Sequence, residues 1–369
     1  MKKLISLFAA LCCFMCAVPS LILSASAENS EAACVIESKT GETVYEKNSV
    51  VRLPMASTTK IMTCITAIES CDLSDITTVS WNAAATEGSS AYIEEGYQIS
   101  ILDLLYGLML NSGNDAAVAI AEHISGSVEG FVNLMNEKTK EIGVGNTHFT
   151  NPNGLPDDEH YTTAYDLAMI TRYAMQNETF RGIVSTVDYS ARIINTGGEL
   201  PFHNHNKLLS LYDGCVGVKT GFTEKAGRCL VTAAERDGLM FIAVTLNDGD
   251  DWNDHKAMLD DAFSRYSMQQ IARAGETAPY SGYDLIYGGD LSVPVKNGDK
   301  LKIKIKMNIP EKLMLPVAAG EKIGTADFMQ GKNVIGTVDV CSAADLYEEP
   351  DFGEKLLKRF RHLVDRILF

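Results

Sequence analysis

Positive charge is what this sequence most lacks. Its 369 residues carry 32 lysines and arginines against 48 aspartates and glutamates, a formal net charge of -16. Nucleic-acid affinity comes mainly from lysine and arginine neutralising phosphates, so a chain this acidic is not expected to take nucleic acid as a partner. Cysteines in metal-binding order are lacking as well. Beyond Cys12, Cys13 and Cys16 near the N-terminus, Cys34, Cys64, Cys71, Cys215, Cys229 and Cys341 stand singly, without the close pairs of a zinc or iron–sulfur site. Most are expected to be buried thiols, no metal is expected, and any disulfide is left unassigned. After residue 23 no apolar run is long enough to cross a bilayer.

What is present begins with a leader. Lys2 and Lys3 precede an apolar run from Leu4 to about Leu23, and Ala25-Ser26-Ala27 follows as a small-residue cleavage site. Residues 1–27 therefore read as a signal peptide; a retained anchor competes, because the run is long for a signal. None of the leader's cysteines is preceded by a lipoprotein cleavage box. Loss of Lys2 and Lys3 takes the net charge from -16 to -18. The length and the 46% hydrophobic content suit a globular chain of two domains.

Residues 28–270 mix strands and helices. Ala33–Ile36 and Thr43–Tyr45 around Lys39-Thr40-Gly41 read as a hairpin, Cys229–Ala234 as a strand and Leu239–Leu246 as a buried strand. Helices are expected near 57–70, 101–124, 128–142 and 163–176. This is an α/β sandwich pattern with strands at both ends of the segment. From 275 to 345 the texture turns to short alternating segments such as Leu301–Met307 separated by turn residues, a separate small β domain. In residues 351–369, Phe352, Leu356, Leu357, Phe360, Leu363, Val364, Ile367 and Leu368 recur at helical spacing, with Lys355, Lys358, Arg359, Arg361 and Arg366 between them. A basic amphipathic tail on an acidic exported chain is expected to lie on a membrane surface; packing against its own β domain is the alternative.

The most chemical segment is Arg52-Leu-Pro-Met-Ala-Ser57-Thr-Thr-Lys60. Serine and lysine three apart on a helix are neighbours, so the Lys60 amine can reach the Ser57 hydroxyl. Pro54 ends the preceding segment, while Ile61, Met62, Ile65 and Ile68 supply a buried stripe. Lysine accepts a proton only when neutral, which calls for burial or a second cation nearby. Lys219, in Val216-Gly-Val-Lys219-Thr220-Gly221-Phe222-Thr223, is the candidate cation. Ser112-Gly-Asn114, between two helical stretches, supplies short polar side chains that a loop can aim into a cleft. Glu69, Glu94 and Glu95 read as solvated.

In the order Ser-x-x-Lys, Ser-x-Asn, Lys-Thr-Gly, these segments resemble the three-part signature of penicillin-binding proteins and serine β-lactamases. Phe149-Thr-Asn-Pro-Asn-Gly154-Leu155, His160-Tyr-Thr-Thr-Ala-Tyr-Asp166 and Gly221-Phe-Thr-Glu-Lys-Ala-Gly227-Arg-Cys narrow the likeness to the low-molecular-mass D-alanyl-D-alanine carboxypeptidases of family S11. The resemblance implies a penicillin-binding protein/β-lactamase-like transpeptidase fold of class α/β (α+β), an antiparallel sheet flanked by helices, with a small all-β domain and a C-terminal amphipathic helix behind it.

It also implies a mechanism. Ser57 attacks the carbonyl between two D-alanines of a peptidoglycan pentapeptide, Lys60 takes its proton and Ser112 relays a proton to the leaving amine. Asn114 binds the substrate backbone, Lys219 and Thr220 the terminal carboxylate, and the N–H groups of Ser57 and Phe222, just past Gly221, form the oxyanion hole. β-Lactams become covalent inhibitors, no cofactor is implied, and the enzyme sits outside the cell, peripheral on the outer face of the cytoplasmic membrane. Peptidoglycan endopeptidase activity stands beside it as an alternative. Residues 247–256 lack an arginine that some members place there for the substrate carboxylate, so the full clamp stays open. A class A β-lactamase is the rival; the interval after Ser112 holds Asn151-Pro-Asn-Gly-Leu-Pro-Asp in place of a glutamate-bearing loop.

Overall fold

The computed structural model describes residues 27, 29–311, 313–347, 356, 357, 359 and 361. The expected signal peptide, and the amphipathic tail apart from four positions, lie outside them. The chain divides into two units, one made of residues up to 36 with 43–234 and 241–262, the other of 37–42, 235–240 and residues from 263 on.

Leu239–Asp248 is apolar along almost its whole length and is buried on both faces, as a central strand must be. It joins the N-terminal and C-terminal strands into one five-stranded sheet in the order Thr43–Lys47, Ser30–Glu37, Leu239–Asp248, Gly227–Arg236, Cys215–Thr223. The first hairpin pairs Ala33 with Lys47 and Val35 with Tyr45. Its turn is closed by the Glu37 carboxylate, which accepts from the N–H groups of Lys39 and Thr40 at 3.0 and 2.8 Å. At the other edge, Lys219 lies opposite Val231 and Phe222 opposite Arg228, antiparallel.

Helix Lys60–Ser70 was expected to bury one stripe, yet every residue from Lys60 to Ala67 is buried. The reason is its position among five other helices: Ile101–Leu110, Asn114–Ser125, Val128–Ile142, Ala164–Ala174 and Glu178–Ser185 all pack against it. A helix enclosed on all sides has no solvated face to keep polar. Ser80, Ser100, Ser127, Thr163 and Asn177 each accept from a first-turn N–H and so set where their helices begin.

The second unit is built on β structure. A four-stranded sheet runs in the order Leu285–Tyr287, Asn333–Ser342, Lys322–Gln330, Ile303–Asn308, beside the pair Tyr266–Ala272 and Leu291–Lys296. Ala272, Leu285, Tyr287, Ala326, Phe328, Val338 and Val340 form its core. The Leu301–Met307 alternation begins as a strand only at Ile303, with Lys304 and Lys306 solvent-exposed on the sheet's edge. Cys34, Cys64, Cys71, Cys215, Cys229 and Cys341 all carry free thiols.

Candidate active site

Ser57 does not sit in the first α-helical turn. Ala56–Thr59 forms a 3₁₀ turn, and the α-helix begins at Lys60. The turn is entered through Ala56 at φ 48°, a left-handed conformation that costs a non-glycine residue roughly 1 kcal/mol or more. The tighter turn keeps the three-residue spacing useful: Lys60 Nζ stands 2.9 Å from Ser57 Oγ.

Lys60 is fully buried. Its Nζ also lies 2.7 Å from Asn114 Oδ1 and 2.6 Å from the carbonyl oxygen of Asn153. Burial drives its pKa well below that of a free lysine, the Lys219 ammonium lowers it further, and Asp115 opposes them. The second cation expected for Lys60 is thus present, but desolvation is the larger effect. A neutral amine has two N–H donors and one lone pair. With both donors committed to Asn114 and Asn153, the lone pair is left for the Ser57 hydroxyl, which is the arrangement of a general base.

The loop carrying Asn153 is held from several sides. Thr63, one turn beyond Lys60, donates to the Pro152 carbonyl at 2.6 Å, and Asn151 Oδ1 accepts from the N–H groups of Gly154 and Leu155. Thr150 N–H donates to His160 Nδ1, so the ring proton is on Nε2 and is donated to Thr59 Oγ1 at 2.7 Å. Burial keeps that imidazole neutral, with its pKa lowered to about 4. Gly154 has φ +91°, and a Cβ there would lie 2.0 Å from the Ala56 carbonyl oxygen. Only glycine lets this loop lie against the backbone that enters Ser57.

The helical span expected over 101–124 is two helices, and the loop expected at Ser112-Gly-Asn114 separates them at 111–113. The helices are Ile101–Leu110 and Asn114–Ser125, and Ser112 between them has φ 61°. The interruption turns Ser112 into the cleft; in a continuous helix its side chain would follow the helical face instead. Asp115 fixes the loop opposite, accepting from Ser90 Oγ at 2.6 Å and Ala91 N–H at 2.8 Å. Asn114 is buried, accepts from Lys60 and donates to the Glu87 carbonyl at 2.7 Å, which leaves it one N–H and one lone pair.

Lys219 is also buried, which lowers its pKa to about 7, and its Nζ donates to the Thr220 carbonyl at 3.0 Å. A Cβ on Gly221 would lie 3.0 Å from the Ser57 nitrogen, so glycine lets the edge strand pass flat against the Ser57 turn. Ser57, Ser112, Thr220, Gly221 and Phe222 line one cleft of about 510 Å³, while Lys60, Asn114 and Lys219 are buried. All eight residues singled out from the sequence therefore lie in or behind one site. Glu69 stands apart from the cleft lining, in an ion pair with Lys138 at 2.7 Å, and Glu94 and Glu95 are exposed.

Residues 21–250 match the family model described as D-alanyl-D-alanine carboxypeptidase, and residues 281–348 match the C-terminal domain of penicillin-binding protein 5. The chain belongs to the D-alanyl-D-alanine carboxypeptidase family, S11. It is 33% identical over 337 residues to the D-alanyl-D-alanine carboxypeptidase DacF of Bacillus subtilis, covering 87% of this chain and 86% of that protein. The solved D-alanyl-D-alanine carboxypeptidase DacD of Francisella tularensis superposes with a TM-score of 0.62 at 28% identity, over 87% of this chain and 94% of the other. Penicillin-binding protein 5 of Haemophilus influenzae gives 0.64 at 26% identity, over 87% and 98%.

This S11 carboxypeptidase brings further residues to the cleft that spacing alone did not single out. Ser89, His205, Arg228, Asp251 and Trp252 complete its lining. Ser89 and His205 arrive from loops, and Asp251 and Trp252 open the helix Asp251–Arg265, with no motif to mark them; Arg228 stands on the strand Gly227–Arg236, inside the Gly221–Cys229 segment that carried the family likeness. The backbone carbonyl of Asn153 carries no residue signature at all, although Asn151-Pro-Asn153-Gly154 is a visible turn signal.

Proposed function

We propose that this serine D-Ala-D-Ala carboxypeptidase removes the terminal D-alanine of peptidoglycan stem peptides through an acyl-enzyme on Ser57. The observation that carries the proposal is the buried Lys60 amine, 2.9 Å from Ser57 Oγ with its other two neighbours both acceptors. Ser57 Oγ attacks the carbonyl between the two D-alanines as its proton passes to Lys60. Charge on the carbonyl oxygen is taken up by the N–H groups of Ser57 and Phe222, where one donor typically contributes about 3 kcal/mol. The C–N bond then breaks. The leaving nitrogen receives the proton through Ser112, D-alanine departs, and water hydrolyses the ester with Lys60 again as base. Asn114 orients the peptide, and Lys219 and Thr220 face the terminal carboxylate.

In the interval where a class A β-lactamase would place a glutamate, Lys60 meets the Asn153 carbonyl, which accepts a hydrogen bond but no proton. β-Lactams are accordingly expected to acylate Ser57 and persist there. Export through residues 1–27 and peripheral attachment to the outer face of the cytoplasmic membrane through residues 351–369 belong to the same proposal. Lys2-Lys3, the apolar run behind them and Ala25-Ser26-Ala27 support the export, and the basic and apolar alternation of the tail supports the attachment.

The test is direct. Purified protein should release D-alanine from a peptide ending in D-Ala-D-Ala, and intact mass after β-lactam treatment should show a stable adduct on Ser57 that Ser57→Ala lacks. No D-alanine release, or an adduct on another residue, would sink the assignment.

A further inference from the structure

A peptide ending in D-Ala-D-Ala carries its α-carboxylate one residue beyond the scissile carbonyl, about 3.5 Å along an extended chain. That anion needs a lasting cation close to the oxyanion donors. Lys60 cannot serve, since its role as base requires it to be neutral. Lys219 faces it, but burial lowers the pKa of that amine to about 7 and its Nζ already donates to the Thr220 carbonyl, so the carboxylate calls for a second cation beside it.

A guanidinium lines the same cleft. Arg228 lies opposite Phe222 on the neighbouring strand, where paired Cα atoms are about 4.5–5.5 Å apart. Its Nη2 donates to Asp251 Oδ1 at 2.5 Å, and its Cζ stands 5.8 Å from the centroid of the Trp252 ring. Asp251 is buried. The side chain is thus held in place before any ligand arrives, and the Asp251 bond uses one of the five N–H donors of a guanidinium. Asp251, Asp248 and Asp250 hold Arg228 firmly in its charged form. Residues 247–256 therefore contribute the acid that orients the cation, and the cation itself comes from the adjacent strand.

We infer that Arg228, oriented by Asp251 and Trp252, receives the terminal carboxylate of the substrate and makes the enzyme selective for peptides with a free C-terminus. The inference rests on the carboxypeptidase reading of the Ser57 site.

The experiment compares two peptides ending in D-Ala-D-Ala, one with a free carboxylate and one with a C-terminal amide. Wild type should prefer the free acid. Arg228→Gln should lower kcat/KM on the acid about 30-fold, as expected for a lost charge-assisted hydrogen bond, and on the amide by less than about 3-fold. Arg228→Lys, which keeps the charge without the planar fork, should lose about 5-fold on the acid and guards against misfolding of the glutamine variant. Equal losses on both peptides with a lowered unfolding midpoint would show that Arg228 only ties Asp251 in place and would overturn the inference. Unchanged activity of Arg228→Gln on the acid would overturn it equally. If wild type cleaves neither peptide, the carboxypeptidase reading fails first and this inference with it.

Discussion

Lys60 Nζ lies 2.6 Å from the carbonyl oxygen of Asn153, 93 residues further along the chain. A main-chain oxygen cannot be ionised, so it draws an N–H of the amine without stabilising its protonated form as a carboxylate would. The contact therefore orients the base while burial favours its neutral form. It also makes the geometry of the 150–155 loop part of the catalytic apparatus.

Replacement of Lys60 by methionine should leave Ser57 without a base. General-base catalysis contributes typically 10²- to 10⁴-fold, so the rate of β-lactam acylation, followed by intact mass, should fall by about that factor. A rate within a factor of about three of wild type would assign the proton to another group.

Gly154→Ala should damage both stability and activity. Its Cβ would fall 2.0 Å from the Ala56 carbonyl oxygen, at a left-handed φ of +91°. A cost of about 2–4 kcal/mol is expected from strain and clash together, read in urea denaturation. D-Alanine release should drop as well, because relief of the clash displaces the Asn153 carbonyl from Lys60.

Acid should destabilise the fold through two buried histidines. Burial lowers the pKa of His160 to about 4 and that of His255, held between Thr232 and Thr245, to about 3. In the unfolded chain each titrates near 6.5. Between these values the unfolded chain binds protons that the folded chain refuses, so stability rises with pH across this window. The contribution is complete above pH 6.5 and declines as the pH falls toward 4, by about 3 kcal/mol for His160. Urea midpoints recorded at about pH 8 and about pH 4.5 should show the loss, and His160→Gln should have a shallower dependence than wild type. An equal slope in the variant would place the acid sensitivity elsewhere.

If residues 351–369 hold the protein on a membrane, truncation before Asp351 should move it from the membrane fraction to the soluble fraction with its D-alanine release intact. Continued membrane association of the truncated protein would transfer the anchoring role away from residues 351–369.

The reacting groups were legible because their spacing is local. Ser57 and Lys60 are three residues apart and meet within one turn, Lys219-Thr220-Gly221 occupies one strand, and the Leu239–Asp248 strand announces its burial by being apolar throughout. The β unit was legible for the same reason, since alternation and turn residues are short-range signals. The loop at Ser112 was legible too, because Asn111-Ser112-Gly113-Asn114 interrupts the apolar pattern between two helical stretches, although the span 101–124 reads as one helix by its flanks alone.

The order of residues supplies the chemistry open to this protein: a serine, a lysine able to lose its charge if buried, and a glycine where the edge strand passes. Folding is what buries Lys60 all round, brings the Asn153 backbone oxygen to it, and sets Arg228 across from Phe222 with Asp251 behind it. Desolvation, a main-chain acceptor and a cross-strand neighbour are products of packing and register, and none of them is written in the identity of the residues concerned.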